Sequence, residues 1–109
     1  MKKIALKTTL VKEAEGEEKN FDYRSQLIAI MKTPFDPRGV DIEEIRRCIR
    51  VIDALEAIPE DALFVELEDA DFDHLKARVM GTKYVKIDRA VLDFIDTVTV
   101  SVEEESKDG

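Results

Sequence analysis

The strongest constraint on the fold is a run of apolar residues at Ile42, Ile45, Ile49, Ile52 and Leu55. Their spacing of three or four lines one side of an α-helix with apolar side chains. The start of this helix is equally well marked. Asp41 stands where a carboxylate can accept from the amide of Glu44, Glu44 can reach back, and Val40 is spaced to staple onto Ile45. Such a cap contributes about 1 kcal/mol. Pro59 has no amide hydrogen to donate and closes the run. The pattern predicts a helix over 41–57, with the isoleucine stripe against a core and Arg46, Arg47, Arg50 and Asp53 turned elsewhere.

The other elements follow from shorter signals. Residues 3–11 alternate, with Ile4, Leu6, Thr8 and Leu10 on one face and Lys3, Ala5, Lys7 and Thr9 on the other, the pattern of a half-buried strand. KEAEGEEK at 12–19 is charged, contains Gly16, and predicts a solvated loop or hairpin tip. Residues 20–32 fit two readings. Tyr23, Leu27, Ile30 and Met31 suit a helix, whereas Leu27 to Met31 alone suits a buried strand; the helix is the preferred reading. TPFDPRG at 33–39 interrupts regular structure, because Pro34 and Pro37 lack donors and restrict the residue before each.

ALFVEL at 62–67 has the β-branched and aromatic content of a strand. A short helix follows with Phe72, Leu75, Val79 and Met80, capped by Asp69 or Asp71 and closed by Gly81 in a left-handed conformation. TKYVKI at 82–87 reads as a short strand or connector. Asp88 then begins an amphipathic run with Val91, Leu92, Ile95 and Val98. The expected architecture is a single α+β domain over residues 1–102, a small sheet packed on three to four amphipathic helices. EEESKDG at 103–109 is expected to be a flexible acidic tail.

Composition limits what such a domain does. A chain of 109 residues is one domain's length and buries roughly 65% of its unfolded surface. Charged residues make up 39% and the net charge is -8. Between Glu60 and Asp73 stand seven acids (Glu60, Asp61, Glu66, Glu68, Asp69, Asp71, Asp73) and no Lys or Arg. That balance opposes a phosphate backbone, whose binding draws affinity from Lys and Arg, so DNA and RNA are excluded as expected partners. A basic protein surface is the partner the charge would attract. No apolar stretch reaches the 18 or so residues a membrane helix needs, and a single cysteine forms no internal disulfide. The expected location is the cytoplasm, with Lys7 interrupting any signal-peptide core.

Few residues point to chemistry. Asp69, Asp71 and Asp73 have the spacing of the first three ligands of a calcium loop, but His74 replaces the required Gly and Met80 the final bidentate Glu. Three carboxylates in the first turn of a helix meet the positive end of its dipole instead. His74 is the one histidine, and zinc would have only it, Cys48 and carboxylates to bind. A nucleophile-base pair of Cys48 and His74 is open on paper, but Cys48 lies beside the buried stripe, where thiolates are disfavoured. No Trp stacks a sugar and no glycine-rich loop cradles a phosphate. The expectation is a non-enzyme with no cofactor and no metal. Arg46, Arg47 and Arg50 form the basic cluster, with Glu43 and Glu44 at ion-pair spacing, or else with the 60–73 acids of a second copy, which would make a homo-oligomer.

LFVELEDADFDHLKARV, followed by a spacer and AVLDFIDTV, resembles the C-terminal half of small acidic proteins from phage and prophage gene clusters that serve head and tail assembly. The resemblance covers residues 60–98 and transfers no site residue. It implies a largely non-catalytic assembly accessory. Together with the charge, it leads to the expectation of protein–protein contact through Glu66, Glu68, Asp69, Asp71 and Asp73 toward a basic partner. Two other readings stand beside it: an acidic regulator that mimics nucleic-acid charge to inhibit a nucleic-acid-binding protein, and a small carboxylate-based hydrolase using His74.

Overall fold

The computed structural model describes residues 1–12, 18–34, 36–84 and 87–102. In chain order it forms strands β1 (Lys2–Ala5), β2 (Thr8–Lys12) and β3 (Glu18–Asp22), helices α1 (Tyr23–Lys32) and α2 (Ile42–Ala57), strand β4 (Phe64–Leu67), and helices α3 (Asp69–Gly81) and α4 (Arg89–Val98). The fold is a small α+β, with two antiparallel pairs of strands set against the helices. The expected tail at 103–109 and loop residues 13–17 lie outside the described residues.

The alternating run at 3–11 becomes two strands. β1 pairs with β4, Ile4 opposite Val65 and Lys3 opposite Glu66, while β2 pairs with β3, Thr8 opposite Asp22. Alternation continues through both, so it does not reveal the change of partner. Burial does: Ile4 and Leu6 are in the core and Leu10 is exposed. Residues 20–22, assigned with the following helix in sequence, belong to β3, and the helix proper starts at Tyr23. Residues 82–84 form no strand. The edge of β1 is met instead by the chain beyond α4, where the Val102 amide donates to the Lys3 carbonyl at 2.6 Å.

Asp22 ends β3 and caps α1. Its carboxylate accepts from the Ser25 amide at 3.0 Å, the Ser25 hydroxyl at 2.8 Å and the Thr8 hydroxyl at 3.0 Å. Partial burial would raise its pKa, but these bonds and the nearby Arg24 charge outweigh it and hold the carboxyl below its ordinary value. A lowered folded-state pKa means stability that is present above the unfolded pKa of about 3.9 and lost as pH falls through the folded value. Asp22→Asn is therefore expected to flatten the acid limb of the stability curve below pH about 4. Chemical denaturation at a series of pH values checks it.

Asp41 caps α2 as expected, accepting from the Glu44 amide at 2.9 Å. The far end is held from another helix. Arg24 donates to the carbonyls of Leu55, Ile58 and Pro59 at 2.7, 2.7 and 3.1 Å, satisfying acceptors that the last turn leaves over. Asp88 caps α4 through the Ala90 amide at 2.8 Å. α3 differs from expectation: neither Asp69 nor Asp71 caps it, because its first residue is Asp69 and the preceding Glu68 makes no side-chain cap bond. Nor does Gly81 turn left-handed, since among the described residues positive φ occurs at Gly39 alone, in the turn before α2. Thr82 closes α3 instead, its hydroxyl donating to the Arg78 carbonyl at 2.7 Å.

The core joins Ile4 and Val65 of the β1–β4 pair to Leu27 of α1, Val51 and Leu55 of α2, Leu75 and Val79 of α3, and Phe94 and Val98 of α4, all fully buried. Phe21, Tyr23 and Phe94 meet edge to face, with centroids 5.1 to 6.0 Å apart. The stripe expected on α2 is only half right. Ile52 and Leu55 are buried, but Ile42, Ile45 and Ile49 are 67, 48 and 46% exposed, and Cys48 and Val51 take the inward positions. At about 100° per residue, the buried arc is rotated toward Cys48 and Val51, which leaves the leading isoleucines as an uncovered edge.

Candidate functional site

Two i, i+4 pairs face each other where α2 packs on α3. Glu44 and Cys48 are one turn apart on α2, as are His74 and Arg78 on α3, so each pair projects from one side of its helix. The four side chains meet. His74 Nε2 lies 3.2 Å from Glu44 Oε2 and 3.6 Å from Cys48 Sγ, and Cys48 Sγ lies 3.7 Å from the same Glu44 oxygen. Arg78 Nη1 donates to Glu44 Oε2 at 3.0 Å, while Nη2 donates to the carbonyls of Ile30 and Thr33 at 3.0 and 2.6 Å. Cys48 and Arg78 also line a groove of about 220 Å³ with Met31, Pro34, Ile45 and Ile49.

This is not the geometry of an activated nucleophile. A base that takes a proton on one ring nitrogen is oriented by an acid at the other. Here the thiol and the carboxylate approach the same nitrogen. Burial pushes the Cys48 thiol up from its ordinary pKa; the Arg78 charge works against this and the Glu44 carboxylate adds to it. Cys48 therefore keeps its proton at neutral pH. The sequence had paired Cys48 with His74 only as a formal option. In the sequence Glu44 reads as part of the helix cap and as an Arg partner, and nothing local ties Arg78 to it. Arg78 falls three residues after Leu75 and six after Phe72, beside the apolar stripe of α3. An Arg at such a position signals a buried partner.

The acidic segment is less uniform than its sequence. Glu66, Glu68, Asp69 and Asp73 are exposed, but Asp71 is only 8% exposed and accepts from Arg50 Nε at 3.2 Å. Asp71 is thus held inside the protein and is not free to meet a partner, while Arg50 is drawn from the outer face of α2 toward α3. Glu66 stands opposite Lys3 in the β1–β4 ladder, and Asp69 lies 3.9 Å from the Met1 amine. The three aspartates point in different directions and form no calcium loop. Ion pairs thus meet Asp69 and Asp71, and Glu66 has a lysine across the ladder.

No helix among the described residues is long and apolar enough to cross a membrane. Comparison with known protein families, with curated proteins and with solved structures returns no match.

Proposed function

We propose that the protein is a non-enzymatic contact protein, cytoplasmic, that pairs with a second copy of itself through the outer edge of α2. The observation behind this reading is the exposed row Val40, Ile42, Ile45 and Ile49, on a helix whose two ends are already satisfied by Asp41 and Arg24. Charge selects the occupant. On the side of α2 that carries Ile45 and Ile49, Arg46 stands about one turn before Ile49 and Asp53 about one turn after. A two-fold axis near Ile49 lays Arg46 of one helix beside Asp53 of the other, with Ile45 and Ile49 of both between them.

Sedimentation velocity over a concentration series tests this pairing. The native chain is expected to dimerise, and the double variant Ile45→Ser with Ile49→Ser to remain monomeric with its circular dichroism unchanged. Arg46→Glu with Arg47→Glu is expected to weaken the dimer about tenfold or more, an effect that added salt diminishes. A native chain that stays monomeric at every concentration overturns the proposal.

The resemblance of residues 60–98 to phage and prophage assembly accessories agrees with a contact role. In that setting Glu60, Asp61, Glu68 and Asp73 would remain to face a basic partner. A mimic of nucleic-acid charge is less well supported, because the inward turn of Asp71 and the cations beside Glu66 and Asp69 break the row of acids.

A further inference from the structure

We propose that Glu44, Cys48 and His74 form a three-ligand site for a divalent transition-metal ion of the zinc class, on the interface between α2 and α3. The argument begins with convergence. One atom from each residue, Glu44 Oε2, Cys48 Sγ and His74 Nε2, falls within 4.8 Å of the other two. Zinc bonds of about 2.0–2.2 Å to nitrogen and oxygen and about 2.3 Å to sulfur, at tetrahedral angles, place such a trio about 3.4–3.6 Å apart. The three separations here are 3.2, 3.6 and 3.7 Å, an agreement within about 0.2 Å. Both Cys48 and Glu44 aim at His74 Nε2, which defeats a proton relay but is what ligands gathered round one point require.

The donor set also suits the ion. Sulfur, imidazole nitrogen and carboxylate oxygen are the three donor types zinc accepts, and a thiolate with a carboxylate neutralises a dication. On binding, the Cys48 thiol gives its proton to solvent and a metal–sulfur bond forms. Arg78 adds a positive charge nearby, but its hydrogen bond to Glu44 Oε2 holds that carboxylate in place, as ligating carboxylates are commonly held. Its Nη2 is committed to the Ile30 and Thr33 carbonyls. Access exists through the groove that Cys48 and Arg78 line. Three protein ligands leave a fourth position for water or for a donor from another molecule.

The experiment titrates the chelator-treated full-length chain with Zn²⁺ by calorimetry and with Co²⁺ by absorption spectroscopy. The expected result is one ion per chain, with a sulfur-to-cobalt charge-transfer band and the visible bands of tetrahedral cobalt. Cys48→Ser is expected to abolish the charge-transfer band, and Cys48→Ser and His74→Gln each to weaken Zn²⁺ binding by about 100-fold or more. Asp69→Asn with Asp73→Asn is expected to change neither. Binding that survives Cys48→Ser, or that fails in the aspartate variant, overturns the proposal. If a ligand variant does not fold, the native chain decides alone: a cobalt spectrum without the thiolate band overturns it.

Discussion

Phe94→Ala is expected to lower the free energy of unfolding by about 4 kcal/mol, a large share of the 5–15 kcal/mol that holds a domain of this size together. Phe94 is fully buried, and its ring meets Tyr23 at 5.1 Å and Phe21 at 5.4 Å, both edge to face. Truncation removes the transfer energy of the ring and leaves a cavity between α4, the start of α1 and β3. It also breaks two aromatic contacts of about 0.5–1.5 kcal/mol each. Leu92→Ala supplies the contrast. Leu92 is on the same helix and equally apolar, but 57% exposed, so its loss is expected within about 0.5 kcal/mol. Urea denaturation with unchanged slope separates the two. A Phe94→Ala cost below about 1 kcal/mol would mean that α4 is not seated on this aromatic cluster.

That contrast also shows what the sequence could disclose. Ends were legible, because a cap is a local event: Asp41 and Asp88 accept from amides two or three residues on, within reach of any reader of the chain. The strand at 64–67 and the helix after it were legible from local composition and periodicity, although the ends expected for that helix, Asp69 or Asp71 and a left-handed Gly81, are not the ones that form. Phase was not. On α4 the apolar run Val91, Leu92, Ile95 and Val98 omits Phe94 and includes the exposed Leu92. On α2 it includes Ile42, Ile45 and Ile49 and omits Cys48 and Val51. Both helices carry a wider apolar arc than the core covers, and which edge is covered depends on the neighbouring elements, which local periodicity does not contain.

The candidate site failed to appear for a related reason. Glu44 with Cys48, and His74 with Arg78, are each a one-turn pair that any helix offers, and 26 positions separate Cys48 from His74. Only the packing of α2 on α3 brings them together. The acids at 69, 71 and 73 were rightly placed at the start of a helix. Yet Asp71 turns inward to Arg50, because a helix sends residues two apart to nearly opposite sides.

Arg78→Met is expected to cost about 3 kcal/mol, although the substitution keeps much of the side chain's apolar stem. Arg78 is 5% exposed and ties three elements together: Glu44 on α2, the Ile30 carbonyl at the end of α1, and the Thr33 carbonyl just beyond it. Its removal leaves a carboxylate without its cation and two carbonyls without a charged donor, and stranded partners cost more than the bonds themselves contribute. Glu44 retains partial solvent access, which keeps the figure at the lower end of the range for breaking a buried pair. Because the penalty comes from what is left behind, a second change should relieve it. Glu44→Gln in the Arg78→Met background is expected to recover about 1 kcal/mol, whereas in the native background it is expected to destabilise. Arg78→Lys should fall between native and Met, since an ammonium is a point donor and cannot fork to three acceptors. Unfolding free energies of the four members of this cycle read the coupling directly. Strict additivity would show that the bond to Glu44 contributes nothing and that the cost of Arg78→Met lies in its carbonyl bonds and packing.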